Sequence, residues 1–183
     1  MSHAFSRRLG EGPILCDGAM GTVLYARGVS PDTCFDVLNL NNPTLVQSVH
    51  ADYVTAGADC VETNTFGANR FKLAVHGLEG RVREINRAGV RLARDVREST
   101  GRNVWVLGSI GPSGKYLAPL GTVSATDARE AFREQAEALL EAAWTASWSR
   151  RSRTSPRSPL PWRRCARSPT CRSWPRWRSP TRG

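Results

Sequence analysis

AGADCVETNTFGANR, residues 56–70, is the stretch of this 183-residue chain that decides its fold. Its centre, Cys60–Phe66, is short and contains β-branched residues, which predicts a buried strand. A helix is expected just before it, because Asn42 followed by Pro43 is typical of a helix start. Apolar residues then recur at every fourth position until Gly57, which is typical of a helix end. The stretch therefore predicts a helix that leads directly into a strand.

The same alternation of strand and helix continues on both sides of this stretch. The other expected elements are strands over Pro13–Cys16 and Asn103–Ile110, and helices over Thr22–Arg27, Gly80–Ser99 and Ala128–Ala142. A capping box that begins at Ser124 precedes the last of these helices. The strands are nearly continuous apolar runs, which is typical of strands buried on both faces. The order β-α-β-α-β-α therefore predicts an α/β fold with a parallel sheet covered by helices.

Each predicted strand ends in a cluster of small and polar residues. The clusters contain Asp17 and Gly18, then Thr63, Asn64 and Thr65, and finally Ser109 with the sequence GPSG at 111–114. Any one of these clusters, taken alone, is explained by the needs of a turn. In parallel α/β folds, however, ligands bind at the carboxyl ends of the strands. Three such clusters at one edge of a sheet therefore predict a shared binding site.

Charge divides the chain into two parts. The whole chain holds 26 Lys and Arg residues and 16 Asp and Glu residues. Residues 144–183 hold 11 Arg and no Lys, Asp or Glu, so residues 1–143 hold 15 basic and 16 acidic residues. The segment 144–183 also contains 8 Ser, 6 Pro and 5 Trp. Such a composition does not build an apolar core, so we expect a folded body over 1–143 and an irregular tail over 144–183.

Several protein classes are excluded by simple patterns. No apolar run is long enough to span a bilayer, so no membrane partner is expected. The N-terminal sequence MSHAFSRRLGEGP lacks the apolar core of a secretory signal. The 5 Cys residues are scattered and odd in number, which argues against a disulfide framework. A reducing, cytoplasmic location is therefore expected.

Four motifs resemble those of the homocysteine S-methyltransferases. They are CDGAMGT at 16–22, LNLNNP at 38–43, the stretch at 56–70, and GSIGPSG at 108–114. They occur in the order expected for that family and cover roughly Pro13–Ala143. This part of the chain is similar to the domain that some bacterial enzymes join to methylenetetrahydrofolate reductase. It also resembles the homocysteine domain of cobalamin-dependent methionine synthase. The resemblance implies the N-terminal portion of a (β/α)8 TIM barrel, with three βα units, followed by the irregular tail.

The resemblance also implies a reaction and a set of binding residues. The reaction is zinc-dependent methyl transfer to the sulfur of homocysteine, which gives methionine. The donor would be of the methyltetrahydrofolate or methylcobalamin type, although the sequence leaves a sulfonium donor open as well. Asp17, followed by Gly18, matches the acid of the first strand and would face the substrate ammonium group. Thr63, Asn64 and Thr65 match the loop that lines the homocysteine pocket.

The metal ligands of the family have no match in this chain. In the family, three Cys residues hold a zinc ion that binds the homocysteine thiol as its nucleophilic thiolate. These Cys residues lie late in the barrel, as a lone Cys and then an adjacent pair. Cys16, Cys34 and Cys60 fall in early segments, so no metal ligand and no catalytic residue is predicted here. The 3 His residues do not cluster, and we expect His50 at the surface of its helix.

A frameshift is the leading explanation for the tail. Trp is encoded only by TGG, so a one-base shift across Trp144 and Thr145 must give Asp. With permitted third bases, Ala142–Pro156 can be reread as GVDGLVVETFSDLA, which resembles a fourth strand of the family ending in Glu-Thr-Phe. The sequence therefore predicts a frameshift near Glu141–Ala143, and a chain that is a truncated and inactive fragment.

An alternative interpretation treats the tail as a functional arm. Arg side chains neutralise phosphates and Trp rings stack on bases, which are the two features of a single-strand-binding segment. The chain would then be a truncated α/β module with an arm for RNA or for acidic surfaces. If the arm is a frameshift product instead, any contact with nucleic acid through its Arg residues is expected to be nonspecific.

Overall fold

Three extended segments run parallel at the centre of the structure. The structure is a computed structural model and describes residues 3–148, with side chains described for residues 5–143. Strand β1 (Cys60–Glu62) pairs in parallel with strand β2 (Trp105–Leu107), and Cys60 lies opposite Trp105. On its other edge β1 forms a single parallel bridge, between Cys60 and Cys16. The order of the segments in space therefore follows their order along the chain, as expected for the opening of a parallel α/β fold.

The first predicted strand, Pro13–Cys16, is reduced to this one bridge. The backbone N–H of Leu15 donates to Asp59 Oδ2 at 2.9 Å, so a side chain replaces a partner from the backbone. The backbone oxygen of Leu15 accepts from Asp59 and Cys60 at 2.8 and 3.2 Å, and the Asp17 N–H donates to the Cys60 oxygen at 3.0 Å. The segment is extended and paired, but it is too short to form a regular strand.

The other two predicted strands are also shorter than expected. Cys60–Phe66 contributes only Cys60–Glu62, and Asn103–Ile110 contributes only Trp105–Leu107. The chain leaves β1 at Thr63 because the N–H of Thr65 turns back and donates to the Thr63 oxygen at 2.8 Å. The polar residues that sequence reasoning included in the strands therefore form the turns at their ends.

Helices occupy most of the remaining described chain. They are α1 (His3–Glu11), α2 (Met20–Ala26), α3 (Leu38–Asn41), α4 (Pro43–Ala56), α5 (Arg70–Ala74), α6 (Val82–Thr100) and α7 (Ala125–Trp148), with 3₁₀ turns at Phe35–Val37 and Glu79–Arg81. Four of them correspond to predicted helices, with ends that differ by up to six residues. Helices α1, α3 and α5 were not predicted, because each is too short for its apolar period to be recognised.

The predicted helix ends have clear physical causes. Asn42 Oδ1 accepts from the N–H of Leu45 at 3.3 Å at the start of α4, and Gly57 ends that helix with φ +108°. Such a φ is strained for any residue with a Cβ atom. Ser124 Oγ accepts from the N–H of Asp127 at 3.0 Å, so α7 begins at Ala125 rather than at Ala128. Helix α7 also continues past Ala142 and is described as far as Trp148.

Helix α6 holds the core together. Its predicted apolar stripe is buried and consists of Val82, Ile85, Gly89, Leu92 and Val96. The helix contacts α4 on one side and α7 on the other. Gly89 is required at its position, because a Cβ atom there would lie 2.6 Å from Thr65 Cγ2 and 2.9 Å from Asn39 Nδ2. Helix α6 therefore approaches the turn after β1 closely enough to exclude any side chain.

The two faces of β1 have different surroundings. Val61 is fully buried and packs in one apolar cluster with Val54 of α4 and Val96 of α6. Since side chains alternate along a strand, Cys60 and Glu62 lie on the opposite face, which we call the inner face. Trp105 of β2 shares the inner face, and the ring of Phe5 from α1 packs edge-on against it at 5.1 Å. Helix α1 therefore covers one end of the inner face.

The segment 144–183, for which an irregular tail or a basic arm is predicted, lies largely outside the described residues. The backbone of residues 144–148 continues helix α7, and residues 149–183 are not described. Within the described chain, no helix combines the length and the apolar character needed to cross a membrane.

His50 corrects one expectation from the sequence. It was expected at the surface of α4, but it is fully buried. Neither of its ring nitrogens has a hydrogen-bond partner among the described residues. Burial lowers the pKa of His50 to about 4, because the charged imidazolium form loses its hydration. A four-residue apolar period does not distinguish His from an apolar residue on the same face, so the sequence did not reveal this burial.

We predict that protonation of His50 destabilises the fold at acid pH. The unfolded chain binds this proton near pH 6.5 and the folded chain only near pH 4, so the contribution of neutral His50 is complete above pH 6.5 and is lost as the pH falls through about 4. The expected loss in the free energy of unfolding is about 3 kcal/mol. Urea unfolding at several pH values, compared between the wild type and His50→Leu, measures it.

The comparison with His50→Leu is needed because two acids act in the opposite sense. The pKa values of Asp17 and Asp36 are raised in the folded chain, so both groups favour folding as the pH falls. These contributions are common to both proteins and cancel in the difference. Equal pH dependence in the wild type and His50→Leu would contradict the prediction.

Candidate functional site

A pocket of about 620 Å³ opens where the three parallel segments end. One wall comes from the ends of these segments and contains Asp17, Gly18, Glu62, Thr63, Asn64 and Ser109. The rest of the lining includes Asp36, from the first 3₁₀ turn, and Lys72 of α5. Four of the five predicted site residues therefore line one pocket. Thr65, the fifth, is fully buried beside it.

Asp17 is fixed at the mouth of the pocket by the backbone of β1. Both of its carboxylate oxygens accept from the N–H of Glu62, at 3.1 and 3.0 Å. The pKa of Asp17 is raised to about 6, mainly by partial burial; the hydrogen bond from the Glu62 N–H opposes this rise, and the nearby Glu62 carboxylate adds to it. Asp17 is thus a carboxylate with weakened hydration, which favours a cationic partner.

Glu62 is a second acid of the site that the sequence analysis did not select. Its side chain lies next to Asp17 on the pocket wall, and its Oε2 accepts from Ser109 Oγ at 2.9 Å. The signal was present in the sequence, because Glu62 precedes Thr63 and shares a strand face with Cys60 by the two-residue period. The pocket wall therefore presents two carboxylates to the same space.

The hydroxyl groups of Thr63 and Thr65 close a ring of hydrogen bonds with Ser109. The N–H of Ser109 donates to Thr63 Oγ1 at 3.0 Å, and Thr65 Oγ1 donates to the Ser109 oxygen at 2.8 Å. The two threonine oxygens lie 2.6 Å apart, so Thr63 is the donor between them. This ring, which we call the hydroxyl ring, joins the turn after β1 to the turn after β2.

The side-chain amide of Asn64 is part of a buried amide network at the edge of the pocket. Its Nδ2 donates to the Phe35 oxygen at 2.8 Å and to Asn39 Oδ1 at 3.1 Å. Asn39 Nδ2 in return donates to the Asn64 oxygen at 2.7 Å. The side chains of Thr63, Asn64 and Thr65 are therefore engaged within the protein, and they shape the pocket wall through the backbone that they hold.

Gly18 is required by a close contact with Tyr53. A Cβ atom at position 18 would lie 2.8 Å from the Tyr53 hydroxyl oxygen. That hydroxyl donates to the Ala19 oxygen at 3.1 Å. Tyr53 of α4 therefore supports the turn that carries Asp17, and the absence of a side chain at Gly18 allows this support.

The pocket lining also contains a buried acid and two basic side chains. Asp36 Oδ1 accepts from the N–H of Gly67 at 2.9 Å, and burial raises the pKa of Asp36. Lys72 and His76 also line the pocket, and both lower the pKa of Asp36 through their charge. The sequence analysis did not select these residues, because only the fold brings α5 and the chain before α3 to the strand ends.

Comparison with known proteins agrees with this geometry. The sequence model of the family described as homocysteine S-methyltransferase matches residues 14–146. The chain belongs to the homocysteine S-methyltransferase family. The match spans every described residue that lines the pocket, so the pocket lies within the matched region.

Named relatives and solved structures lie in the same family. The chain is 38% identical over 134 residues to a methionine synthase of Mycobacterium tuberculosis, and the alignment covers 68% of this chain and 11% of that protein. It is 37% identical over 144 residues to the homocysteine S-methyltransferase of Escherichia coli, with 70% of this chain and 46% of that protein covered. The chain thus spans less than half the length of these two relatives.

The fold is similar to that of a solved methyltransferase. The metallated form of the homocysteine methyltransferase MmuM from Escherichia coli superposes with a TM-score of 0.62 at 31% identity, over 74% of this chain and 53% of that one. The apo form of the same enzyme gives a TM-score of 0.54 at 34% identity, over 73% of this chain and 48% of that one. The mixed α/β architecture is therefore shared with this family.

The described part of this methyltransferase-family chain does not fit the zinc ion that the family implies. Within it, no three His, Cys, Asp or Glu side chains come together in a set that could hold a metal ion. Cys60 is buried on the inner face and contacts Cys16, whereas Cys34 belongs to the pocket lining and is not part of this contact. No zinc site is assigned to these residues.

We predict that Thr65→Val destabilises the fold through the hydroxyl ring. The substitution keeps the shape of the side chain and removes one hydroxyl, which leaves the Ser109 oxygen without its donor and the Thr63 hydroxyl hydrogen without its acceptor. The expected loss in the free energy of unfolding is about 1–3 kcal/mol. Urea unfolding followed by circular dichroism measures it. Thr55→Val, at an exposed position on α4, is the matched control, and equal losses in the two variants would rule out the ring as the cause.

Proposed function

We propose that the pocket binds homocysteine and that the chain is part of a methyltransferase that converts homocysteine to methionine. The observation that carries the proposal is the pair of carboxylates, Asp17 and Glu62, which line one pocket and lie within two of the motifs that resemble those of homocysteine S-methyltransferases. Relatives named methionine synthase and homocysteine S-methyltransferase match the same part of the chain. The reaction would take place in the cytoplasm, as the scattered cysteines predict.

The charges of the pocket suit an amino acid in its zwitterionic form. Asp17 is partly desolvated and faces open space, so a substrate ammonium group would replace the water that it has lost. Glu62 adds a second negative charge on the same wall. Lys72 and His76, which also line the pocket, would attract the substrate carboxylate. The acidic and basic groups of the lining would therefore orient the amino acid.

The proposed reaction forms one bond and breaks another at the methyl group. The sulfur of homocysteine attacks the methyl carbon of the donor, and the bond between the methyl group and the donor breaks with its electron pair left on the donor. The thiol proton leaves to solvent with a methylcobalamin donor, and with a methyltetrahydrofolate donor a proton is taken up by the departing nitrogen. The product is methionine. The donor is proposed to be of the methyltetrahydrofolate or methylcobalamin type. Asp17 and Glu62, together with Lys72 and His76, would bind and orient the amino acid. No described residue is assigned to the activation of the sulfur.

We also propose that the described body is the opening portion of a (β/α)8 barrel. Three parallel segments follow one another in space, and α4 and α6 cover one face of the central strand. This is the arrangement that successive βα units produce in such a barrel. The superposition on a homocysteine methyltransferase over about three quarters of this chain supports the proposal.

Homocysteine binding by the purified chain, measured by isothermal titration calorimetry, tests the proposal. We expect Asp17→Asn to raise the dissociation constant roughly tenfold or more, because a hydrogen bond to a charged group is lost. The affinity of the wild type is expected to fall as the pH drops through 6, the pKa of Asp17, since about nine-tenths of this group is ionised at pH 7 and about a tenth at pH 5.

Asp95→Asn, at an exposed position on α6 outside the pocket, is the matched control and is expected to bind like the wild type. Circular dichroism of each variant separates loss of binding from loss of fold. The polypeptide of residues 1–183, assayed by itself with either donor type, is expected to form no methionine. Binding that is unaffected by Asp17→Asn would contradict the proposed role of the pocket, and methionine formation would contradict the expected inactivity.

For residues 144–183 we propose a frameshift near Glu141–Ala143 rather than a functional arm. The composition supports this, because translation in the frame shifted by one base restores acidic residues and a Val-rich segment, whereas residues 144–183 contain no Asp, Glu or Val. Sequencing of the gene across codons 138–148 tests it. We expect one inserted or deleted base to restore a sequence of the methyltransferase family. If no single inserted or deleted base restores such a sequence, the frameshift is refuted.

A further inference from the structure

Two cysteine side chains touch on the inner face of the sheet. Cys16 and Cys60 are bridge partners on neighbouring parallel segments, and their Sγ atoms lie 3.2 Å apart. The Cys60 thiol is the hydrogen-bond donor in this contact. Both cysteines are free thiols. Neither thiol is used by the proposed binding of homocysteine, so this contact has no role in the site described above.

The geometry of this pair suits a disulfide bond. Backbones of neighbouring strands lie about 4.8 Å apart, which is within the range of Cα separations that disulfides span, roughly 4.4–6.8 Å. The two side chains already point at one another, because bridge partners in a parallel pair project to the same face. Bond formation therefore requires the two sulfur atoms to approach by side-chain rotation, without a change in the register of the sheet.

The two thiols differ in their access to solvent. Cys16 is exposed, whereas Cys60 is buried with 1% of its surface accessible. A reagent in solution therefore reaches Cys16 first. Burial and the contact with Cys16 raise the pKa of Cys60, so Cys60 is a protonated thiol at neutral pH. This asymmetry is the arrangement of an attacking cysteine with a resolving cysteine beside it.

We propose that Cys16 and Cys60 are a redox-sensitive pair that closes to an intramolecular disulfide when the chain meets a peroxide. The Cys16 thiolate attacks one oxygen of hydrogen peroxide, the O–O bond breaks, and Cys16 becomes a sulfenic acid, while the departing hydroxide takes the proton that the Cys16 thiol has lost and becomes water. The sulfur of Cys60 then attacks the Cys16 sulfur and displaces the hydroxyl group, which takes the proton of Cys60 and leaves as water. In total, two thiols lose two protons and two electrons, and hydrogen peroxide is reduced to two molecules of water.

The bond would act directly on the pocket wall. Cys16 precedes Asp17, and Cys60 lies two residues before Glu62. The N–H of Asp17 already donates to the Cys60 oxygen at 3.0 Å. A covalent bond at this point would join the two segments that carry both acids. Its effect is a cross-link between the first extended segment and β1, which at present share one bridge.

Thiol counting on a simplified full-length chain tests the proposal. In the triple variant Cys34→Ser, Cys165→Ser and Cys171→Ser, only Cys16 and Cys60 remain. We expect two reactive thiols per denatured chain before treatment with hydrogen peroxide, none after it, and two again after dithiothreitol. Adding Cys16→Ser to this variant is expected to leave the Cys60 thiol reactive, because its attacking partner is gone.

Peptide mapping of the wild-type chain locates the bond. Trypsin cleaves after Arg27 and Arg70, so Cys16 and Cys60 are released on different peptides. Cys34 lies on the same peptide as Cys60, so Cys34→Ser is mapped in parallel and is expected to retain the cross-link. The same treatment in denaturing urea is expected to lose the preference for this pairing.

Three results would overturn the proposal. The first is that both thiols of the triple variant stay reactive after peroxide. The second is oxidation of Cys16 to the sulfinic acid without a cross-link to Cys60. The third is a cross-link that joins two chains, seen as a dimer on a non-reducing gel. In each of these cases Cys16 and Cys60 are packing residues of the inner face, and the proposed homocysteine site is unaffected.

Discussion

The hydroxyl ring of Thr63, Thr65 and Ser109 is the constraint on which the rest of the described structure depends. It holds the ends of β1 and β2 together at the point where both strands stop, and each of its hydrogen bonds is buried. Because every donor has an acceptor within the ring, the turns keep their shape without help from solvent. The positions of Glu62 and of the pocket wall follow from this arrangement.

A buried amide network extends the same constraint to the helices. Gln135 of α7 donates to the Thr65 oxygen at 2.7 Å, and Asn86 of α6 donates to the Ala68 oxygen at 2.8 Å. Asn39 joins the Asn64 oxygen to the Ile85 oxygen in the same way. The layer between the sheet and the helices is therefore partly polar, and its side-chain amides fix the irregular backbone that an apolar core would leave unpaired.

The sequence predicted the alternation of strands and helices and the placement of most of the selected residues around one pocket. Periodicity and helix-end residues were sufficient for this, because α4 and α6 have long apolar faces and Asn42 and Gly57 mark the ends of α4. It did not predict the short length of the strands, since their polar ends are held by long-range hydrogen bonds. The sequence also did not predict the burial of His50 or the contribution of α5 to the pocket, because both depend on packing between distant segments.

The close approach of Gly89 to Thr65 and Asn39 restricts the order in which this domain can change over evolution. A side chain at position 89 has no room while Thr65 keeps its methyl group and Asn39 its amide. Thr65 cannot lose its hydroxyl without opening a buried hydrogen bond. Substitutions at these positions are therefore epistatic: a path through single changes passes through a destabilised intermediate, and drift at one position waits for change at the others.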